Sequence, residues 1–462
     1  MKGTQLLRRV LAVVLTLTLL ASFVTPVLAE IVPQNTGKNS VRDSSNIINK
    51  LIDIDPASLN VKKLSALFDS EDAEVTVDLP YELTDTVRVS IFLEEPSALE
   101  KGYAAEGIAA NKAAIAYRNK LKQAQSDLTA EIEETLGKKI DIAWNFTLAA
   151  NAISVNVTLK DALLIAAMDG VASVELENRY NVPAPIETDD PYTVGTAEYM
   201  TGAAQVWNLG YTGAGGRVAI IDTGIAYSHQ SFDGDALEYS LQELGFDLDE
   251  LLDEDELESV IESLNAYQKG AAADNSYISS KIPFAYNYVD ENTDITHDND
   301  NQTEHGSHVA GIAAANKYIK VVDNASGDVS YEYAPDYAHA IGMAPDAQLI
   351  VMKVFGTNGG ANDSDYFAAV EDAIVLGCDA ANLSLGSAAN GFTYTNEYQY
   401  LLNALADGEY NADLVLAVSA GNDGSFADDL DFPYLYSEDV SMHRGGQPGT
   451  LINSLGVASA DS

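Results

Sequence analysis

The chain has 462 residues, 47% of them hydrophobic, enough for about two or three packed domains and too apolar for a disordered polymer. It carries 70 acidic against 25 basic residues, a formal net charge of −45; this excludes nucleic acid and anionic membranes as partners and suits a solvated surface in a salty or extracellular setting. The single cysteine, Cys378, excludes an intrachain disulfide, and its place between a predicted helix and a predicted strand reads as buried packing.

The chain opens with Lys2, Arg8 and Arg9, an apolar run from Val10 to Leu20, and Val27-Leu28-Ala29 as a small-residue cleavage site. This is an export signal over residues 1–29, too short in its apolar part to span a bilayer. No later segment is apolar enough to cross a membrane, so the mature chain is expected to be secreted. Residues 30–80 are polar and weakly patterned and read as a linker. From 81 to 180 the patterning sharpens into a small α+β domain. Val87 to Phe92 reads as a strand, Asn111 to Leu136 as a helix, and Ile140 to Thr147 as a second strand. Ile153, Val155, Val157 and Leu159 alternate with polar residues as a third strand. Asp161 to Met168 is a short helix stopped by Gly170, and Val171 to Leu176 is the last strand. The order β-α-β-β-α-β is the split, ferredoxin-like arrangement.

Residues 181–199 hold Pro183, Pro185 and Pro191 with Glu187, Asp189 and Asp190, an extended linker suited to proteolytic processing. From 200 to 462 apolar runs alternate with helical patterns, which predicts an α/β domain with a parallel sheet and helices on both faces. Val218 to Ile221, Leu349 to Val354, Ala381 to Leu385 and Leu414 to Val418 are the candidate buried strands. His305 to Ala315, Asp365 to Leu376 and Glu397 to Ala406 are the candidate helices.

Two motifs in this second domain carry acid–base chemistry. AIIDTGI places Asp222 at the end of an apolar strand, where a parallel sheet points side chains into its ligand crevice. HGSHVAGIAA opens a helix with His305, and Gly306 and Gly311 permit close approach of neighbouring backbone. A carboxylate that orients an imidazole is the arrangement that activates a serine hydroxyl for acyl transfer. His308 invites a metal reading as His-x-x-His, but zinc-protease helices space their ligands at i and i+4, so it reads as structural. LVLAVSAGNDG places Asn422 just past a strand and a glycine, where its side-chain N–H can face a developing oxyanion.

Together these strings resemble the subtilisin-like serine proteases, and MTGAAQVWNLGYTGAGGRVAIIDTGI (Met200 to Ile225) is similar to the cell-envelope subtilases of the lactocepin type. The resemblance implies a subtilisin-like fold and an Asp-His-Ser triad, with Asp222 orienting His305 as general base and Asn422 as oxyanion donor. NLSLGS would offer Ser384, Leu385 and Gly386, and the AGN turn Ala420 and Gly421, to an extended peptide bound as an added strand. It also implies polypeptide substrates, an α+β domain acting as an inhibitory propeptide, and no required cofactor, with calcium as an optional ion of unassigned site. NAISVNVTLKDALLIAAMDGVASVELE carries the propeptide likeness.

Two features depart from the family. Asp222 and His305 are separated by an acidic insertion at 236–300. Within it, Phe246 to Leu264 has apolar residues near helical spacing and reads as an exposed amphipathic helix. Its place between the two motifs suggests control of access to the cleft, and Asp298 and Asp300 are the better-placed acids for calcium. The family's Gly-Thr-Ser nucleophile motif is absent before Ser462, so the serine is expected beyond residue 462 and this stretch alone is expected to be inactive. A peptide-binding pseudoprotease is the alternative.

Overall fold

The computed structural model describes residues 83–180 and 201–457, less 338–339, 358, 387–396, 407–411, 413, 421–447, 450 and 452. The first module begins with β1 (Thr86–Leu93) and α1 (Lys112–Leu136). It continues through β2 (Asp141–Phe146), β3 (Ala152–Thr158), α2 (Leu159–Ile165) and β4 (Val171–Leu176). Its antiparallel sheet has the order β2-β3-β1-β4. The Asn111 side chain accepts from Ala113 and Ala114 N–H to start α1, and Gly137 ends it in the left-handed region at φ 67°. Between them Ala114, Arg118, Leu121, Gln125, Leu128 and Ile132 form one buried stripe at three- and four-residue spacing, as an amphipathic helix against a sheet requires. Helix α2 starts two residues earlier than its predicted bound because the Thr158 hydroxyl caps it. Gly170 is therefore not its cap; it is a positive-φ turn whose carbonyl accepts from Glu94 N–H. A short β5 (Arg179–Tyr180) follows.

The second module opens with α3 (Ala203–Asn208) and β6 (Arg217–Asp222). Then come α4 (Gly234–Leu244), α5 (Glu254–Val260), α6 (Ala273–Ser276) and β7 (Phe284–Asn287). Helix α7 (His305–Ala314) leads into a hairpin of β8 (Tyr318–Val322) and β9 (Val329–Tyr333). After β10 (Gln348–Lys353) and β11 (Ala361–Asn362) run α8 (Asp363–Val375), β12 (Ala380–Leu383) and α9 (Glu397–Ala406). The last strands are β13 (Val415–Ser419) and β14 (Leu455–Val457). Six strands form a sheet in the order β14-β13-β12-β6-β10-β7, each neighbouring pair parallel. All six residues of β10 are buried, so this strand must be covered on both faces, which is why its middle, Leu349 to Met352, reads as a continuous apolar run.

Two readings of the insertion change. Phe246 to Leu264 is not one helix: a 3-10 turn at Leu248–Glu250, α5 and a 3-10 turn at Ile261–Ser263 replace it. The Asp247 and Asp253 side chains accept from Asp249 and Glu256 N–H, so acids that fit a solvated helical face instead start new turns. Leu251, at φ −75° and ψ 149°, is extended and breaks the run, and it and Leu252 are both buried. The far end of the insertion also supplies β7, the edge strand of the main sheet.

The two modules meet on α8, which is buried from Asp363 to Ile374. Phe146 packs edge-on to Phe367 at 5.5 Å, and Phe92 to Tyr398 at 5.5 Å. Asp365 Oδ1 accepts from Trp144 Nε1 at 2.9 Å and Arg88 at 3.1 Å. Glu371 Oε1 accepts from the backbone N–H of Ala149 and Ala150 at 2.6 and 3.0 Å. The insertion joins the seam. Arg118 donates to Ser263 O at 3.0 Å, Gln268 to Asn145 O at 3.0 Å, and Lys269 Nζ lies 5.4 Å from the Trp144 ring centre.

Trp144 is 1% exposed at the centre of this seam. Trp144→Ala should therefore cost about 3–5 kcal/mol. Thermal unfolding should read this as a lowered melting temperature, with amide exchange in β2 rising more than in β6.

Candidate active site

The carboxyl ends of adjacent parallel strands bring the site together. Asp222 is the last residue of β6, and its strand neighbours are β10 and β12. His305 is the first residue of α7. Its Nδ1 lies 2.8 Å from Asp222 Oδ1, across 83 positions of sequence. Asp222 is buried, whereas the His305 side chain is 28% exposed, so the imidazole faces the open side and the carboxylate sits behind it. Asp222 Oδ1 also accepts from Thr223 N–H at 2.6 Å, while Oδ2 is buried with no hydrogen-bond partner.

Close backbone packing holds the pair. A Cβ on Gly306 would stand 2.2 Å from Gly224 O and 3.2 Å from Asp222 Oδ1. Gly224 has φ +106°, and a Cβ there would meet Ile295 O at 2.3 Å. Both positions need glycine, for space and, at Gly224, for conformation. Gly311 differs from its predicted role, because a Cβ there would meet nothing within 4 Å. Thr223 links the segments: its hydroxyl donates to Thr303 O at 3.0 Å and accepts from Gly306 N–H at 2.9 Å.

The hydrogen bond to Asp222 raises the His305 pKa above the ordinary histidine value, against burial, which lowers it. The protonated imidazole is thus stabilised by the fold. That contribution is fully present below the ordinary histidine pKa and is lost as pH rises through the folded-state value. Chemically, the arrangement provides a partly exposed imidazole held through Nδ1 by a buried carboxylate, which suits a base of fixed tautomer.

The other predicted residues fall as follows. Ser384, Leu385 and Gly386 come just after β12, beside the end of β6; Ser384 Oγ donates to Asn382 Oδ1 at 2.8 Å, and Leu385 is fully buried. Ala420 follows β13, and its N–H donates to Val457 O at 2.8 Å. Gly421 and Asn422 lie outside the described residues, as do the export signal, the 30–80 linker and the 181–199 segment. His308 is exposed on α7. Of the calcium candidates, Asp298 is exposed, and Asp300 is taken by Lys353 Nζ at 2.7 Å. Among the described residues no group of three or more His, Cys, Asp or Glu side chains is placed to share a metal ion. Cys378 is buried, which pushes its thiol pKa up, away from nucleophilic use. Sequence reasoning missed Thr223 and Lys353, and it assigned Asp300 to an ion where the structure pairs it with Lys353; the lysine inside the apolar run VMKVF was the available signal.

A family model described as the subtilase family matches residues 213–462, more than half of the chain. The PI-type proteinase of Lactococcus lactis subsp. cremoris is 30% identical over 350 residues, 74% of this chain and 16% of that protein. The minor extracellular protease Vpr of Bacillus subtilis (strain 168) is 27% identical over 364 residues, 77% of this chain and 36% of that protein. The chain thus spans well under two thirds of either relative. The epidermin leader peptide processing serine protease (EpiP) of Staphylococcus aureus has a TM-score of 0.43 at 16% identity, covering 82% of this chain and 70% of that one.

Asp222→Asn weakens the hydrogen bond and removes the charge that together raise the His305 pKa. Its titration, followed by histidine-selective NMR, should shift to lower pH, and a midpoint unchanged from the parent would show that the 2.8 Å contact does not govern the imidazole.

Proposed function

Since the chain belongs to the subtilase family, we propose that it forms the precursor of a secreted serine endopeptidase in which Asp222 and His305 are two members of the triad. The observation that carries this reading is the 2.8 Å Asp222–His305 bond at the carboxyl end of a buried parallel sheet. In the reaction, His305 Nε2 takes the proton of a serine hydroxyl as its oxygen attacks the peptide carbonyl, and then gives that proton to the departing amine. Water repeats the cycle on the acyl-enzyme. Asp222 holds Nδ1–H and stabilises the imidazolium. The relatives are much longer than this chain, and the serine is to be sought in the full-length protein. Asn422 is the proposed oxyanion donor. Ser384 to Gly386 and Ala420 to Gly421 are proposed to pair with substrate backbone, which suits unfolded or loop segments of polypeptides.

Residues 81–180 are the proposed propeptide, of ferredoxin-like fold, inhibiting in cis, with processing in 181–199. Their interlock with α8 supports this. So does β5, whose Tyr180 and Arg179 pair antiparallel with Ala361 and Asn362, carrying the chain from the propeptide along the second module. No cofactor is assigned, and calcium has no proposed site. Export is supported by the N-terminal signal pattern and by the extracellular relative. Among the described residues no helix is long and apolar enough to cross a membrane.

A fluorophosphonate probe applied to the full-length protein after propeptide removal should label a single serine. Asp222→Asn should lower turnover of a peptide substrate by about 10⁴-fold. Absence of labelling in the unaltered full-length protein would overturn the peptidase reading in favour of a peptide-binding one.

A further inference from the structure

Lys353 is a lysine in an unusual place. It ends β10 with 1% exposure, and its register partner on the neighbouring strand is Asp222. Its Nζ reaches Thr223 O and, at 2.7 Å, Asp300 Oδ2. The Asp300 side chain is itself only 4% exposed. Asp300 Oδ1 accepts from Gln302 N–H at 2.8 Å and lies 3.3 Å from His297 Nδ1. Gln302 Nε2 in turn donates to Gly356 O at 2.7 Å, just past β10. A buried ion pair with this set of bonds is costly to desolvate and often no more stabilising than an apolar replacement, so its location asks for another reason.

We propose that Lys353 and Asp300 form a positioning pair that fixes the Asp222–His305 couple from behind. The inference rests on the peptidase reading of that couple. One arm acts on Asp222. Its Oδ1 is oriented by Thr223 N–H, its Oδ2 has no partner, and so the setting of residue 223 decides where the carboxylate points. Lys353 holds the carbonyl of that same residue, and its Cδ would stand 3.1 Å from a Cβ on Gly224, leaving the turn no slack. The other arm acts on His305. Asp300 anchors the loop that delivers the imidazole, five positions further on, to the end of the strand flanking Asp222. The charged and titratable groups around the pair are Asp222, Asp294, His297, Glu304 and His305. Glu304 comes within 3.9 Å of His297 Nε2, and Asp294 feels the lysine charge. The Lys353 and Asp300 side chains are only 1% and 4% exposed, so the expected signature is loss of orientation without loss of binding. Misplacement of about 1 Å in such a constellation is enough to lower turnover by about 100-fold.

The test separates orientation from mere stability. Lys353→Met/Asp300→Leu removes both charges and leaves no stranded ion. In the full-length protein, kcat should fall by about tenfold or more with KM unchanged. The acidic limb of the kcat/KM profile should move to lower pH as His305 loses its tight bond to Asp222. Histidine-selective NMR should show the His305 midpoint moving the same way. Asp300→Asn, which keeps the shape and removes the charge, serves if the double variant does not fold. A folded variant with parental kcat and an unchanged His305 titration would overturn the proposal and make the pair purely structural. If the unaltered full-length protein does not hydrolyse peptides, the peptidase reading fails, while the His305 titration still decides whether the pair positions the couple.

Discussion

Helix α8 carries carboxylates where no water reaches them, and the molecule is organised around satisfying them. Asp363, Asp365, Glu371 and Asp372 are all buried, and a buried carboxylate is tolerated only with several donors around it. Glu371 takes two backbone N–H groups from the first module and Asn265 Nδ2 from the insertion. Asp372 takes the N–H groups of Asn265 and Ala266, and Tyr288 OH at 2.8 Å. Asp363 takes the Asn178 N–H and the hydroxyls of Tyr180 and Tyr366. One helix therefore demands donors from the antiparallel module, from the insertion and from the tail leading out of the module. Separating them would leave these acids to find water instead. The docked state is thus specific as well as apolar, because a shifted module could bury Phe146 and Trp144 but could not meet the same acceptors.

The same logic of backbone donors and tight approach governs the site. Gly224 and Gly306 touch because neither has a side chain, which lets the end of β6 and the start of α7 come within reach of one hydrogen bond. Thr223 then spends its N–H, carbonyl and hydroxyl on three different segments. The geometry of the Asp222–His305 couple is built less by its two side chains than by the residues that leave them no alternative.

Much of this was legible in the chain. The apolar runs at Val218 to Ile221 and Leu349 to Val354 announced buried parallel strands because both faces of such strands are covered. Asp222 and His305 stood out because each ends or begins an apolar, glycine-flanked stretch. The insertion was read less well. Its leucines fit a helical period, but two of its aspartates cap short turns, and period alone does not distinguish a capping acid from a solvated one. Asp300 was read as a candidate ion ligand because its neighbours are acidic; the lysine that claims it lies more than 50 positions further along the chain.

Local and chemical features are legible in the chain alone: which segments are strands, where Asp222 and His305 stand at the ends of apolar stretches, and the family whose motifs they match. Those are properties of short windows, fixed by periodicity, by turn residues and by motif. Pairing over long separations emerges only on folding: Asp222 with His305, Lys353 with Asp300, and Glu371 of α8 with backbone N–H groups some 220 residues away. Such bonds leave no local signature, because a backbone N–H is the same at every residue and a buried charge is known as such only once its partner has been folded against it.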